Sequence, residues 1–466
     1  MFTFSLRGTS LALAALIALP LFSSVSYAQG EDPRLEELLS QVRKLSSRVE
    51  ELEEEREDRG SPLEDRVNAL SASLGSAGTS DFNSYWKTGL RLDNGDKSFR
   101  LKIGGRIQND WAFGTQDNDY EQNTAAGRFE DGTKFRRARL FIAGQIHEHV
   151  IFKAEFDFAG GDADFADVYL GLRNVGFIDK IRVGHFKQFF SLEQLTSSRF
   201  ITFMERSLAD VFAPGRETGL GVNGTALDQN ITWGFSVFRD VDSYGDSAPA
   251  DDGAYGVSGR VTWVPWYCDD CDALLHVGGG IVYQGANADA IRFRQRPEIS
   301  ISPRIFDTGS IEADSVLRLN LELAFVWSSF SFQAEYFYAE IEGTNGNPDP
   351  AFWGGYAYVS YFLTGEKRSY DRKNGIFGRV IPHENFLEGD GCGAWEVAFR
   401  ASYLDLNDDD ANGGKAFNIT VALNWYLNPN TQIKLNYIYT NLDEFAPAET
   451  GDGESHVVGI RFQIDF

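Results

Sequence analysis

Beyond its first 28 residues the chain has no apolar run approaching the roughly 18 to 20 residues that a membrane-spanning helix requires. If it crosses a bilayer, it does so as a closed barrel of strands. Methionine is almost missing, at 2 residues against 37 Phe, 18 Tyr and 47 Gly, and that skew favours strands over helices. Basic residues are outnumbered, 43 Lys and Arg against 68 Asp and Glu, and a net charge of −25 argues against any nucleic-acid partner. The six histidines, His147, His149, His185, His276, His383 and His456, are scattered. Without a G-x-S-x-G elbow or an H-E-x-x-H run, nothing sets a nucleophile beside a base, so no enzyme, cofactor or resident metal is expected. Only three cysteines occur. Cys268 and Cys271 flank Asp269-Asp270 outside any thioredoxin-like unit, which reads as a structural disulfide clip in an oxidising compartment, with one cysteine left free or in a rearranged pair.

Residues 1–28 carry Arg7, an apolar stretch from Leu11 to Phe22 and a closing Ser26-Tyr27-Ala28, the pattern of a secretory signal peptide. An uncleaved anchor helix is the competing reading. In residues 29–74, Leu35, Leu38, Val42, Leu45, Val49 and Leu52 recur at spacings of 3 and 4, which predicts a short α-helical coiled coil interrupted at Gly60-Ser61-Pro62. A solvated acidic linker is the alternative. Residues 75–94 are expected as a linker, so the chain divides into signal peptide, periplasmic coiled coil, linker and a 95–466 barrel.

From residue 95 onward the period is two. Trp395, Val397, Phe399, Ala401 and Tyr403 alternate with Glu396, Ala398, Arg400 and Ser402, and aromatics gather near segment ends, as suits a bilayer interface. Sixteen such segments are expected, at 98–113, 133–146, 149–160, 164–174, 179–188, 216–226, 229–240, 253–265, 273–285, 312–328, 329–342, 350–363, 394–407, 416–428, 430–442 and 454–466. The fold class is therefore all-β, a 16-stranded antiparallel transmembrane barrel. Connections mostly alternate short and long, with 408–415 expected among the longer ones. The stretch 364–393 is long on the side that should carry short turns. The apolar 189–215 reads as a loop folded into the barrel, since it is too apolar to leave in water.

Once the apolar parity faces lipid, the other parity lines the lumen. It holds Lys102, Arg106, Arg137, Arg139, Lys153, Arg182, Arg260, Arg318 and Arg400, and basic residues outnumber acids there although the whole chain is acidic. Uncompensated guanidinium groups in a narrow lumen concentrate anions; the alternative is that wall cations merely pair wall acids. Arg292, Arg294 and Arg296 alternate within 286–311. They form a stripe that either dips into the pore or meets lipopolysaccharide phosphates.

Gly105-Arg106-Ile107-Gln108 with Trp111, Phe135-Arg136-Arg137-Ala138-Arg139, Pro214-Gly215-Arg216-Glu217-Thr218-Gly219 and Leu363-Thr364-Gly365-Glu366 through Tyr370 and Gly375 to Gly393-Ala394-Trp395-Glu396 occur in this order. In these motifs residues 95–466 resemble the phosphate-selective porin O and P family. The resemblance implies an outer-membrane channel of a Gram-negative-type bacterium, commonly a homotrimer in contact with membrane lipid, in which an arginine ladder leads small inorganic anions to a narrow eyelet. It carries the ladder role to Arg137 and Arg139, and to Arg106. Family members place lysines at the eyelet; here the alignable lysines are Lys102 and Lys153. The function expected is passive diffusion of small anions such as phosphate or polyphosphate-like species. The alternative is a general, weakly selective porin whose residues 31–74 tether the membrane to the cell wall.

Overall fold

The computed structural model describes residues 82–466 except 124–128, 247–254, 345 and 444–452, together with Ser40, Gln41, Arg43, Lys44, Ser47 and Arg48, which are helical. The leader, the heptad seam and residues 75–81 lie outside the described residues.

Sixteen long strands carry the structure. The first five are β1 Phe99–Gln116, β2 Gly132–Ile146, β3 Val150–Asp157, β4 Asp164–Val175 and β5 Ile178–Lys187. Then follow β6 Arg216–Ala226, β7 Ile231–Arg239, β8 Tyr255–Cys268, β9 Ala273–Gly285, β10 Ile311–Trp327 and β11 Phe330–Gly343. The last are β12 Ala351–Phe362, β13 Ala394–Asp408, β14 Ala411–Asn428, β15 Thr431–Asp443 and β16 Gly453–Asp465. Each pairs antiparallel with its sequence neighbour, and β16 returns to β1 with Ser455 opposite Gln116 and Asp465 opposite Arg106. The sheet is therefore closed, which removes the exposed edges that a bilayer does not tolerate.

The burial pattern is inside-out relative to a water-soluble sandwich. On β10, Leu319, Leu321 and Leu323 are exposed while Arg318, Asn320 and Glu322 between them are buried. Trp353 and Tyr361, both exposed on β12, stand eight residues apart. At a strand rise of roughly 3.3 Å they are about 26 Å apart along a tilted strand, comparable to the apolar band of a membrane barrel.

Two expectations need correction. The described part of the linker, 82–94, is a β-hairpin: Phe82–Trp86 pairs with Leu90–Asn94, which in turn pairs with the start of β1. Its strands are too short for a periodicity signal, and the turn needs Thr88 and Gly89 at φ 53° and 126°. The 408–415 loop is a two-residue turn at Asp409-Asp410, because β14 begins at Ala411. Residues 411–416, Ala-Asn-Gly-Gly-Lys-Ala, pair with the end of β13 across a register shift between Asp405 and Asn407, and carry no apolar parity to reveal it.

The connection 188–215 lies inside the barrel, as its apolar content requires. Phe190, Leu192, Phe203, Met204, Leu208 and Phe212 are fully buried against the inner wall. Its polar backbone is satisfied by side chains of distant strands. Glu335 accepts the N–H groups of Leu192 at 2.9 Å and Glu193 at 2.7 Å, Ser402 accepts that of Leu208 at 3.0 Å, and Asn424 donates to Thr202 O at 2.8 Å. Lys434 and Arg461 reach the carbonyls of Ile201 and Met204. A buried loop that leaves few backbone groups unpaired is a fixed element.

From the other end, 363–393 also enters the lumen. Within it Tyr370–Asp371 pairs with Ile376–Phe377, a small hairpin whose turn seats Gly375 against the wall. Arg260 donates to Gly375 O at 2.8 Å, and Gly375 has φ +62°, where an added Cβ would lie 2.7 Å from Thr232 Oγ1 and 2.8 Å from Thr262 Oγ1. Replacement by valine is disfavoured both by that conformation and by the lack of space, so Gly375→Val is expected to unseat the hairpin and raise single-channel conductance by about half or more. Unchanged conductance in planar bilayers would mean that the hairpin does not limit the lumen.

Candidate functional site

The two inward segments leave cationic spaces on either side of 188–215. The space toward the short-turn end encloses about 230 Å³ and is lined by Arg106, Lys153, Arg182, Lys187, Arg199, Arg216, Arg260 and Lys373 against two carboxylates, Glu155 and Asp167. The space toward the long-loop end, about 280 Å³, is lined by Lys134, Arg136, Arg206, Arg294, Arg296 and Arg304 against Glu205, Asp210 and Glu298. Between them, Gln194 O accepts hydrogen bonds from Lys187, which lines the first space, and from Arg206 Nη2 at 3.2 Å, which lines the second. One cation pair on a shared carbonyl thus marks the partition.

The residues expected from parity fall into two groups. Several are neutralised. Arg106 donates to Glu155 at 2.7 Å and to Ser198 at 2.9 Å; Arg139 meets Asp157 at 2.6 Å; Lys153 meets both Glu155 and Asp167 at 2.6 Å. Arg260 makes a two-pronged pair with Glu322, both contacts at 2.7 Å. Arg400, buried, binds Glu298 at 2.6 Å and Glu193 at 3.4 Å, joining the wall to the long-end connection 286–310 and to 188–215.

Others meet no described carboxylate within 4 Å. Arg137 donates to Gln108 Oε1 at 2.9 Å, and Arg318 donates to Gln284 Oε1 at 2.8 Å with the Phe293 ring 5.7 Å away. Arg182 lies 4.7 Å from the Phe186 ring centroid and 5.1 Å from that of Phe189, with Nε buried and unpartnered. Lys102 stands 5.4 Å from the Phe141 ring centroid. A guanidinium left without a carboxylate keeps its fork for a passing anion.

The stripe in 286–311 is divided. Arg294 and Arg296 line the long-loop space, Arg296 donating to Ser302 O at 2.8 Å. Arg292 is tied outside it to Asp307 at 2.5 Å, and Arg294 also reaches Asp307 at 3.2 Å. Asp307 on the facing short strand pairs with Arg294, so the two arginines share its carboxylate. That carboxylate is held below its ordinary range, first by its hydrogen bond from Arg292, against the upward push of burial. In the same region burial pushes the Glu205 carboxyl upward, yet Arg136, Arg461 and Arg137 together hold it well below its usual range. Asp210 goes the other way: burial dominates, and its carboxyl rises to about 7 although Arg206 lies 3.7 Å away.

Parity reading overlooked Lys187. Counted from the lipid-facing Val183 it falls on the outer parity, but Gly184 has φ 131° and the strand end curls into 188–215, bringing Lys187 to the lumen. Arg206 and Lys373 lie in connections where no parity applies; Arg206 stands out as a cation within the apolar 189–215, whereas 364–393 has no pattern that singles out Lys373. Cys268 and Cys271 are joined by a disulfide and Cys392 is free. Lys367 of the inserted segment meets Asp272 beside that disulfide, and Arg372 stacks 4.3 Å from the Tyr267 ring centroid.

Residues 101–466 match the family described as phosphate-selective porin O and P. The chain is 30% identical over 396 residues to an uncharacterized protein of Caulobacter vibrioides, across 82% of this chain and 76% of that one. It is 28% identical over 422 residues to Porin O of Pseudomonas aeruginosa, across 81% and 91% of the two chains. The anion-selective porin from Comamonas acidovorans superposes with a TM-score of 0.48 at 12% identity, over 78% of this chain and 100% of that one. Since the family match runs from the first barrel strand to the last residue, the chain belongs to the phosphate-selective porin O and P family of outer-membrane porins.

Proposed function

We propose that the chain is a passive diffusion channel for small anions, with phosphate and polyphosphate-like anions the preferred class. The observation that supports this most is the space at the short-turn end, where eight cations face two carboxylates in a chain whose net charge is −25. Low-dielectric walls focus that field on whatever enters. The side-chain nitrogens of Arg182, Lys187 and Lys373 meet no described carboxylate within 4 Å, so their share of the excess is not cancelled locally. In the same reading Arg106, Arg137, Arg139, Arg182, Arg318 and Lys187 form the anion path, the N-terminal segment lies in the periplasm and the channel assembles as a homotrimer.

A second reading, a general and weakly selective porin, is favoured by the pairing of Arg106, Arg139, Arg260 and Arg400 with acids. Planar-bilayer reversal potentials across a chloride gradient separate the two. The anion channel predicts a chloride-to-potassium permeability ratio of about ten or more at low salt, and chloride current blocked by added phosphate. A ratio near one without phosphate block would leave only the general porin.

A further inference from the structure

The short-turn space is larger than a bare oxyanion needs. Its volume is about 230 Å³. Part of its wall is apolar. Leu195 and Ile376, each half-buried, face it from the two inward segments. Phe189 adds an aromatic edge that the barrel makes room for: an added Cβ would lie 2.3 Å from its ring at Gly234 and 3.2 Å at Gly221. Against that ring lies Arg182, whose Nε has no partner and whose Nη2 reaches Asn223 only at 3.4 Å. A path for hydrated inorganic ions gains nothing from apolar side chains in contact with water. An anion with an apolar body gains from both surfaces at once, its head on the guanidinium fork and its body on Leu195, Ile376 and the Phe189 edge.

We infer that this space takes organic phosphonates and phosphates, a tetrahedral anionic head attached to a small planar or aliphatic body, in preference to the bare inorganic anion. The inference rests on the anion-channel reading and names the substrate class of the same site. The tetrahedral head follows from the side chains there that meet no described carboxylate, Arg182, Lys187 and Lys373, which together suit a dianion better than a monocarboxylate.

The test is block of chloride current through single channels of the full chain by phenylphosphonate, methylphosphonate and inorganic phosphate at one pH. Phenylphosphonate is expected to half-block at about one tenth of the methylphosphonate concentration. In Ile376→Asn and Leu195→Asn, measured on channels that insert with ordinary conductance, the ratio of the two half-blocking concentrations should fall toward one. Equal block by all three probes, or a ratio untouched by both substitutions, overturns the inference while leaving the anion channel standing. No block by any of them removes the anion channel itself.

Discussion

Arg461→Ala is expected to destabilise the refolded barrel by about 3 to 5 kcal/mol, read as a lower urea midpoint in lipid vesicles. Arg461 is fully buried on β16, and its guanidinium makes three contacts with carboxylate oxygens and one with a carbonyl. It grips both oxygens of Asp110 at 2.6 and 2.7 Å, reaches Glu205 at 2.6 Å and also holds Met204 O. Deleting it leaves Asp110 with a hydroxyl from Ser300 and Glu205 with Arg136, so one carboxylate stays buried with no cation. Uncompensated buried charge is the costly case, unlike replacement of a whole pair by apolar groups. Arg292→Ala is the matching control: its pair with Asp307 is exposed, and the midpoint should not move. An Arg461→Ala midpoint equal to that of the control would mean that this cluster does not hold 188–215 to the wall.

Lys187→Gln is expected to weaken phosphate block about tenfold at low salt, and Lys187→Glu to abolish it. Lys187 meets no described carboxylate within 4 Å, and it donates to the Gln194 carbonyl that Arg206 also holds. Its charge therefore acts on an anion at the partition without a local counter-charge, in a space where water screens poorly. Arg106, neutralised by Glu155, offers the comparison: Arg106→Gln should change block less than Lys187→Gln does. The reverse order, measured as half-blocking concentrations in the same bilayers, would move the eyelet away from the Lys187–Arg206 pair.

The strands were legible because membrane burial inverts a single alternation. Arg318, Asn320 and Glu322 between Leu317, Leu319, Leu321 and Leu323 leave one arrangement open to β10. Which cations remain free was not legible, because neutralisation depends on register between strands distant in sequence. Arg260 on β8 reaches Glu322 on β10 across the glycines of β9, where an added Cβ at Gly278 would stand 2.7 Å from the Glu322 carboxylate. No spacing in the sequence announces such a lane. Parity also ends where strands do: Lys187 falls on the outer parity of Val183 yet reaches the lumen, and Lys373 and Arg206, within long connections, take no face from it. Of those connections only 189–215 is recognisable as inward by its apolar content; 364–393 shows its length alone, and the wall residues that receive the two, Glu335 for Leu192 and Arg260 for Gly375, were not legible.

The joint between β16 and β1 sets the order in which this protein can be made. Gly105 and Phe466 exchange backbone hydrogen bonds at 2.7 and 3.1 Å, and Arg461 reaches Asp110 across 351 positions of sequence. The residues of β16 are thus the partners of the first barrel strand, and closing so large a loop forgoes chain entropy before any pairing rewards it. Until β16 pairs with β1, both β1 and whichever strand is newest present open edges. Such a chain has to be carried unfolded to its membrane and zipped there in one operation. A peptide appended after Phe466 would run into the 82–94 hairpin, since an added Cβ at Gly89 lies 3.4 Å from the Phe466 carbonyl carbon. Affinity handles therefore belong in a long-end loop, away from that seam.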